Sequence, residues 1–178
     1  MLTILLMEKK DKEIYKGLSD TDALTGLFNR RAFQTAVDET LLKRISGVFI
    51  FIDVDNFKDY NDKYGHANGD LCLKHFAATM KKCFPKDSIL GRYGGDEFVV
   101  YIKNAASDDA HRYMDEFQRE ISHLMMSGGE HVMVSASAGG VAFIGEGEDF
   151  VSLCRSADNM LYDVKRNGKG TFKMKGAK

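Results

Sequence analysis

Two pairs of carboxylates carry the chemistry this sequence offers. Asp53 and Asp55 close the apolar run Val48-Phe49-Ile50-Phe51-Ile52, and Asp96-Glu97 follow a Gly94-Gly95 step. Adjacent acids repel, so they need a proton or a cation to sit together. Hard oxygen donors of this kind suit Mg2+ or Mn2+, which keep several waters and bridge phosphates. Two such ions about 3.5–4 Å apart clamp the attacking and leaving oxygens of an in-line phosphoryl displacement. A plainer reading competes with this one: a solvated acidic turn at 96–97, and Asp53 and Asp55 as caps of the next helix.

The elements that must position these acids are legible from periodicity. Val48–Ile52 reads as a strand buried on both faces, in the middle of a sheet. Side chains alternate along a strand, so its end delivers Asp53 and Asp55 to one side. Ile89–Tyr93 and Val99–Ile102 flank Gly94-Gly95 as a hairpin. Helical spacing predicts helices over 30–46, 56–64, 71–84, 107–127 and 149–166, with Asp55 or Asn56 capping the second. Residues 65–70 read as a polar turn, with Asp70 as the alternative cap of the helix that follows. Val132–Ile144 reads as a strand with a bulge at Gly139-Gly140, and Thr171–Met174 as a short final strand. The order αβααββαβα mixes hairpins with helical crossovers. It predicts an α+β fold, a mainly antiparallel central sheet flanked by helices in a ferredoxin-like or polymerase-palm layout.

Composition sets the frame. The chain has 178 residues, 44% hydrophobic, which suits one domain with a sizeable core. A net charge of −1 gives no electrostatic case for nucleic-acid or membrane binding. Cys72, Cys83 and Cys154 show no CxxC or zinc spacing and suit buried thiols in a reducing cytosol. Residues 1–19 read as a helical linker stub or a mobile lead-in, with 20–175 as the domain proper. No Walker A loop, HExxH pair or Ser/His/Asp order is present, so a nucleotide would be held by metal and scattered groups.

Six separated segments sharpen the reading. Arg92-Tyr93-Gly94-Gly95-Asp96-Glu97-Phe98 resembles the signature of the GGDEF family of diguanylate cyclases. Asp22-Ala23-Leu24-Thr25-Gly26-Leu27-Phe28-Asn29-Arg30-Arg31 resembles the entry turn of that family, and Asp53–Asp62 its metal and phosphate segment. Gly65-His66-Ala67-Asn68-Gly69-Asp70 resembles its guanine-site loop, Ser137–Ala142 a core strand, and Ala157–Lys169 its closing helix. The likeness spans about residues 20–173.

The resemblance implies a nucleotidyltransferase, similar in fold to nucleotidyl cyclases, that condenses two GTP into cyclic di-GMP with release of two pyrophosphates. It implies two Mg2+ or Mn2+ ions per site, held by Asp53, the Val54 carbonyl, Asp96 and Glu97, with Asp96 helping to deprotonate the 3′-hydroxyl. Gly94 and Gly95 would admit the nucleotide, and the amides of Asn56, Phe57 and Lys58 would cradle phosphate oxygens. Asn61 and Asp70 would read guanine, with His66 in support. Lys165 and Lys169, on a shared helix face, would meet the β and γ phosphates. Catalysis would take a transient homodimer in the cytoplasm, behind an upstream sensor or receiver in a longer, membrane-attached protein or as a stand-alone domain. Two departures stand out. Lys169 replaces a frequent arginine, which loses the bidentate fork. Pro85-Lys86-Asp87-Ser88 stands where an Arg-x-x-Asp product-inhibition motif would end, so no inhibitory site is expected there. The alternatives are a catalytically weak GTP-binding or dimerisation module, and a cyclase using ATP, which Asp70 disfavours.

Overall fold

The structure, a computed structural model, describes residues 20–125, 129, 131–144 and 146–176. The expected lead-in at 1–19 lies outside them. In chain order the elements are β1 (Phe28–Asn29), α1 (Arg30–Leu42), β2 (Gly47–Val54), α2 (Phe57–Tyr64), α3 (His66–Cys83), β3 (Ile89–Gly94) and β4 (Glu97–Lys103). They continue with α4 (Ser107–Ile121), β5 (Leu124–Met125), β6 (His131–Val132), β7 (Ala136–Phe143), α5 (Phe150–Arg166) and β8 (Phe172–Lys175).

Every residue of β2 is buried, as its unbroken apolar run requires. The main sheet runs β1-β3-β4-β2-β7-β8. The pairings β3–β4, β4–β2 and β2–β7 are antiparallel, while β1–β3 and β7–β8 are parallel. The inner four strands have the order of a ferredoxin-like βαββαβ unit, the palm-like α+β fold expected from the sequence. Alternation along β2 splits the core. Val48, Ile50, Ile52 and Val54 pack with Phe76, Met80, Met114 and Phe117 of α3 and α4. Phe49 and Phe51 face the other way, with Phe33 of α1 and Phe150, Leu153 and Leu161 of α5. Asp53 therefore points to the α1/α5 face.

Several elements differ from expectation: α1 stops at Leu42, short of the expected 46, and the strand expected over 132–144 is divided between β6 and β7, which begins at Ala136. α3 begins at His66, so the segment read as a polar turn is its first turn and a half. Gly65, at φ 81°, breaks the chain between α2 and α3, and Gly65 rather than Asp70 stands at the N-cap. α4 ends at Ile121, where the expected helix ran to Ser127, because 124–125 and 131–132 pair as a hairpin. β7 passes through Gly139 and Gly140 in unbroken register with β2, with no bulge. Gly139 is needed for closeness: a methyl there would overlap the α5 backbone at Ala157 and Leu161.

Candidate functional site

The acidic residues converge where β2 ends beside the β3–β4 hairpin. Asp53 and Glu97 are register partners on adjacent antiparallel strands. The Val54 amide donates to the Asp96 carbonyl at 3.2 Å, which ties the hairpin tip to the end of β2. Gly95 turns the tip at φ 44°, and nothing lies within 4 Å of where its side chain would be. Burial pushes the Asp53 carboxyl up, with Asp96 and Asp55 adding to it against the opposing pull of Lys165. Burial likewise raises Glu97, and Asp53 and Asp96 raise it further. These acids are short of positive charge.

Lys165 supplies part of it, with Nζ 2.8 Å from Asp53 Oδ2. Its expected place was on a phosphate, and in the free protein it sits on the carboxylate. Lys169 does not share its helix face. α5 ends at Arg166, and Lys169 lies beyond it at φ 61°, donating to Asn56 Oδ1 at 2.7 Å. Asn56 itself is left-handed, at φ 55°, and makes no side-chain cap on α2. The amides of Asn56, Phe57 and Lys58 stand at the start of that helix, with Asn56 and Lys58 exposed.

Asp55 has other work. It lies on the same face as Asp53, as alternation requires, but it accepts from Ser135 Oγ at 2.7 Å, Ser137 Oγ at 2.6 Å and the Gly170 amide at 3.1 Å. The carboxylate clasps the loop after α5 to the edge of β7. Its role is mechanical, and the acidic constellation reduces to Asp53, Asp96 and Glu97.

Two of the residues expected to read guanine are brought near each other through Gly69. A methyl there would overlap Asn61 Oδ1, so α2 and α3 touch at this point and Asn61 packs against the residue that precedes Asp70. Asn61 Oδ1 is buried without a hydrogen-bond partner among the described residues. Asp70 and His66 are exposed on the first turns of α3.

Sequence reasoning missed a strut under the hairpin. Arg92 donates from Nε and Nη2 to the Gly95 carbonyl at 2.9 and 2.7 Å, and from Nη1 to Asp22 at 3.1 and 3.2 Å. Asp22 in turn accepts from the Thr25 amide and hydroxyl at 2.9 and 2.7 Å. Burial opposes the charge on Asp22, but the Thr25 and Arg92 bonds outweigh it and hold its carboxyl below the usual range. The Asp-x-x-Thr spacing signals such a local turn. The link to Arg92 spans 70 residues, and no local signal reveals it.

The donor set fits a hard divalent cation. Among the described residues no three His, Cys, Asp or Glu side chains form a ready-made metal cage. Mg2+ is ordinarily held by one or two carboxylates together with substrate phosphates, which is the set available here.

Fold and site together define a palm-like α+β domain with acidic residues gathered at the end of its central strand, beside the β3–β4 hairpin tip. The pattern described as "Diguanylate cyclase, GGDEF domain" matches residues 19–171, and the chain belongs to that family. It is 35% identical to the response regulator PleD of Caulobacter vibrioides over 168 residues, 90% of this chain and 37% of that protein. It is 32% identical to the cyclic di-GMP phosphodiesterase PdeR of Escherichia coli over 173 residues, 96% of this chain and 26% of that protein. The GGDEF domain of DgcB from Caulobacter crescentus, solved with c-di-GMP, superposes with a TM-score of 0.81 at 28% identity, covering 88% of this chain and 96% of that one. The chain thus spans about a quarter to two fifths of the two curated relatives.

Proposed function

We propose that the domain, residues 20–175, condenses two GTP into cyclic di-GMP with release of two pyrophosphates. The observation that carries this is the in-register pair Asp53–Glu97 beside a hairpin tip hydrogen-bonded to Val54. Asp53, Asp96, Glu97 and the Val54 carbonyl hold Mg2+ or Mn2+ together with the triphosphate. When bound, the cation neutralises phosphate charge and makes the attacking hydroxyl more acidic. Asp96 takes up the 3′-hydroxyl proton. Lys165 leaves Asp53 for the phosphates, and Lys169 and the first amides of α2 hold the same group. Incubation with GTP and Mg2+ tests the proposal through chromatography of the product. Cyclic di-GMP is the expected result, and its absence at high protein concentration removes the proposal.

Guanine is read by Asn61 and Asp70, since a carboxylate accepts the N1 and N2 protons that adenine lacks. Asp70→Ser is expected to lower the preference for GTP over ATP by about a hundredfold, read from competing turnover rates. An unchanged preference places base recognition elsewhere.

Pro85-Lys86-Asp87-Ser88 lies between α3 and β3 and has Pro85 and Ser88 where an Arg-x-x-Asp motif needs its arginine and aspartate. Cyclic di-GMP titrated into the active assay is expected to inhibit weakly and only in competition with GTP. Strong non-competitive inhibition contradicts this.

One observation favours a second reading, a GTP-binding module with little turnover: Lys165 already occupies Asp53. Calorimetry with GTP, run beside the turnover assay, separates the two, because a module binds without releasing pyrophosphate.

A further inference from the structure

Lys165 holds a place that any other cation at Asp53 has to contest. Its Nζ lies 2.8 Å from Asp53 Oδ2, with the lysine side chain 37% exposed and the carboxylate 12%. Burial is the largest influence on Asp53 and Glu97 and raises both carboxyls, and Lys165 works against that rise at each. Of the ion pairs among the described residues, this is the one that reaches Asp53, Asp96 or Glu97. The neighbouring basic groups are engaged elsewhere. Arg166 lies 5.7 Å over the Tyr162 ring, Lys169 donates to Asn56 Oδ1 at 2.7 Å, and Lys173 pairs with Asp163 at 2.7 Å.

The lysine is a movable head on a fixed base. Val164, the residue before it, is buried, so the last turn of α5 is anchored in the core. The ammonium sits on a flexible four-carbon stem and can leave Asp53 without the helix moving. A divalent ion bound to Asp53 would repel an ammonium at the same carboxylate, so the two compete. What waits for the ammonium decides the contest. A bare ion gives it no new anion, so the lysine loses its pair while the ion must also shed water, which Mg2+ does reluctantly. An ion that arrives with a triphosphate brings phosphate oxygens, and the ammonium exchanges one anionic partner for another. Metal and triphosphate then favour each other's binding, and such coupling is reciprocal.

We propose that Lys165 is a place-holding cation: it keeps a bare divalent ion off Asp53 and gives up its position only to an ion that comes with a triphosphate. Lys165 thus selects for the metal–nucleotide complex over the free metal. The proposal rests on the reading of Asp53, Asp96 and Glu97 as the donors of the divalent ion.

Two binding measurements on the 178-residue chain test it without reference to turnover. The first follows Mn2+ alone, through loss of the paramagnetic signal of the free ion. The second is calorimetry with the preformed Mn2+ complex of α,β-methylene GTP, which cannot release pyrophosphate. Lys165→Met is expected to tighten binding of Mn2+ alone about tenfold or more, and to weaken binding of the nucleotide complex about tenfold. Lys165→Arg keeps the charge, and its affinity for Mn2+ alone stays within about threefold of the wild type. A gain of binding cannot come from a misfolded variant. A methionine variant that holds Mn2+ alone no more tightly than the wild type overturns the proposal, because a lysine serving only phosphate would weaken the nucleotide complex and do nothing else. An arginine variant that gains as much as the methionine one overturns it too, since charge is then not the cause. The two readings fail differently. Uptake of the nucleotide complex with no gain in the methionine variant removes the place-holding role alone, whereas a chain that binds Mn2+ neither alone nor with the nucleotide removes the metal site and the role together.

Discussion

Glu97→Gln is expected to lower cyclic di-GMP formation about a thousandfold while the melting temperature stays level or rises. Glutamine keeps the shape of the side chain and removes the charge that a divalent cation requires. Glu97 lies across the ladder from Asp53 and is pushed up by burial and by its acidic neighbours. A carboxyl raised in the folded state opposes folding whenever it is ionised, and that cost disappears as it is protonated in acid. Removing the charge therefore relieves the folded protein at neutral pH. Product chromatography and a thermal melt on one preparation check both halves. A variant that loses activity and also melts much earlier gives Glu97 a structural role. Retained activity removes it from the metal site.

Arg92→Met is expected to cost about 2 kcal/mol of stability and to slow synthesis about a hundredfold. The arginine is the connection between the Asp22 turn and the hairpin tip, and both side chains are mostly shielded, at 15% and 23% exposure. Some water reaches both groups, so the loss falls below that of a fully buried pair. Methionine fills similar space but leaves Asp22 without its cation and the Gly95 carbonyl without its donors. The effect has a pH signature. The Asp22 carboxyl is held low in the folded state, so its stabilisation is present above the unfolded value of about 3.9 and is lost as pH falls through the folded value. The stability gap between wild type and variant should accordingly be widest near neutrality and close in strong acid. Guanidinium denaturation at several pH values measures it. A gap that does not change with pH assigns the loss to packing instead.

Local chemistry accounts for what sequence reasoning recovered. The apolar run at 48–52 could only be a central strand, and period two fixed the face on which Asp53 and Asp55 emerge. The Gly94-Gly95 step between two β-rich runs forecast the hairpin. The spacing of Phe150, Leu153, Ala157, Leu161 and Val164 forecast α5 to within a residue. The misreadings also have local causes. Residues 65–70 are rich in Gly, Asn and Asp and imitate a turn, yet Gly69 lies within α3 and is a glycine because Asn61 packs against it. Gly139 and Gly140 imitate a bulge, yet they are narrow places where α5 and β8 approach the strand.

By itself, then, the sequence determined the mostly antiparallel palm-like sheet, the two acidic strand ends and the residues flanking them, because periodicity and turn chemistry act over a few residues. Only the tertiary structure decided which partners those residues take. Asp55 proved to be a clasp for Ser135, Ser137 and Gly170, Lys165 the counter-ion of Asp53, and Lys169 the partner of Asn56. Arg92 became the brace between the hairpin tip and an entry-turn aspartate 70 positions before it. Each of these is a choice among several oppositely charged or hydrogen-bonding groups. The choice is set by distance and burial in the folded chain, and neither quantity exists until the sheet has brought remote segments together.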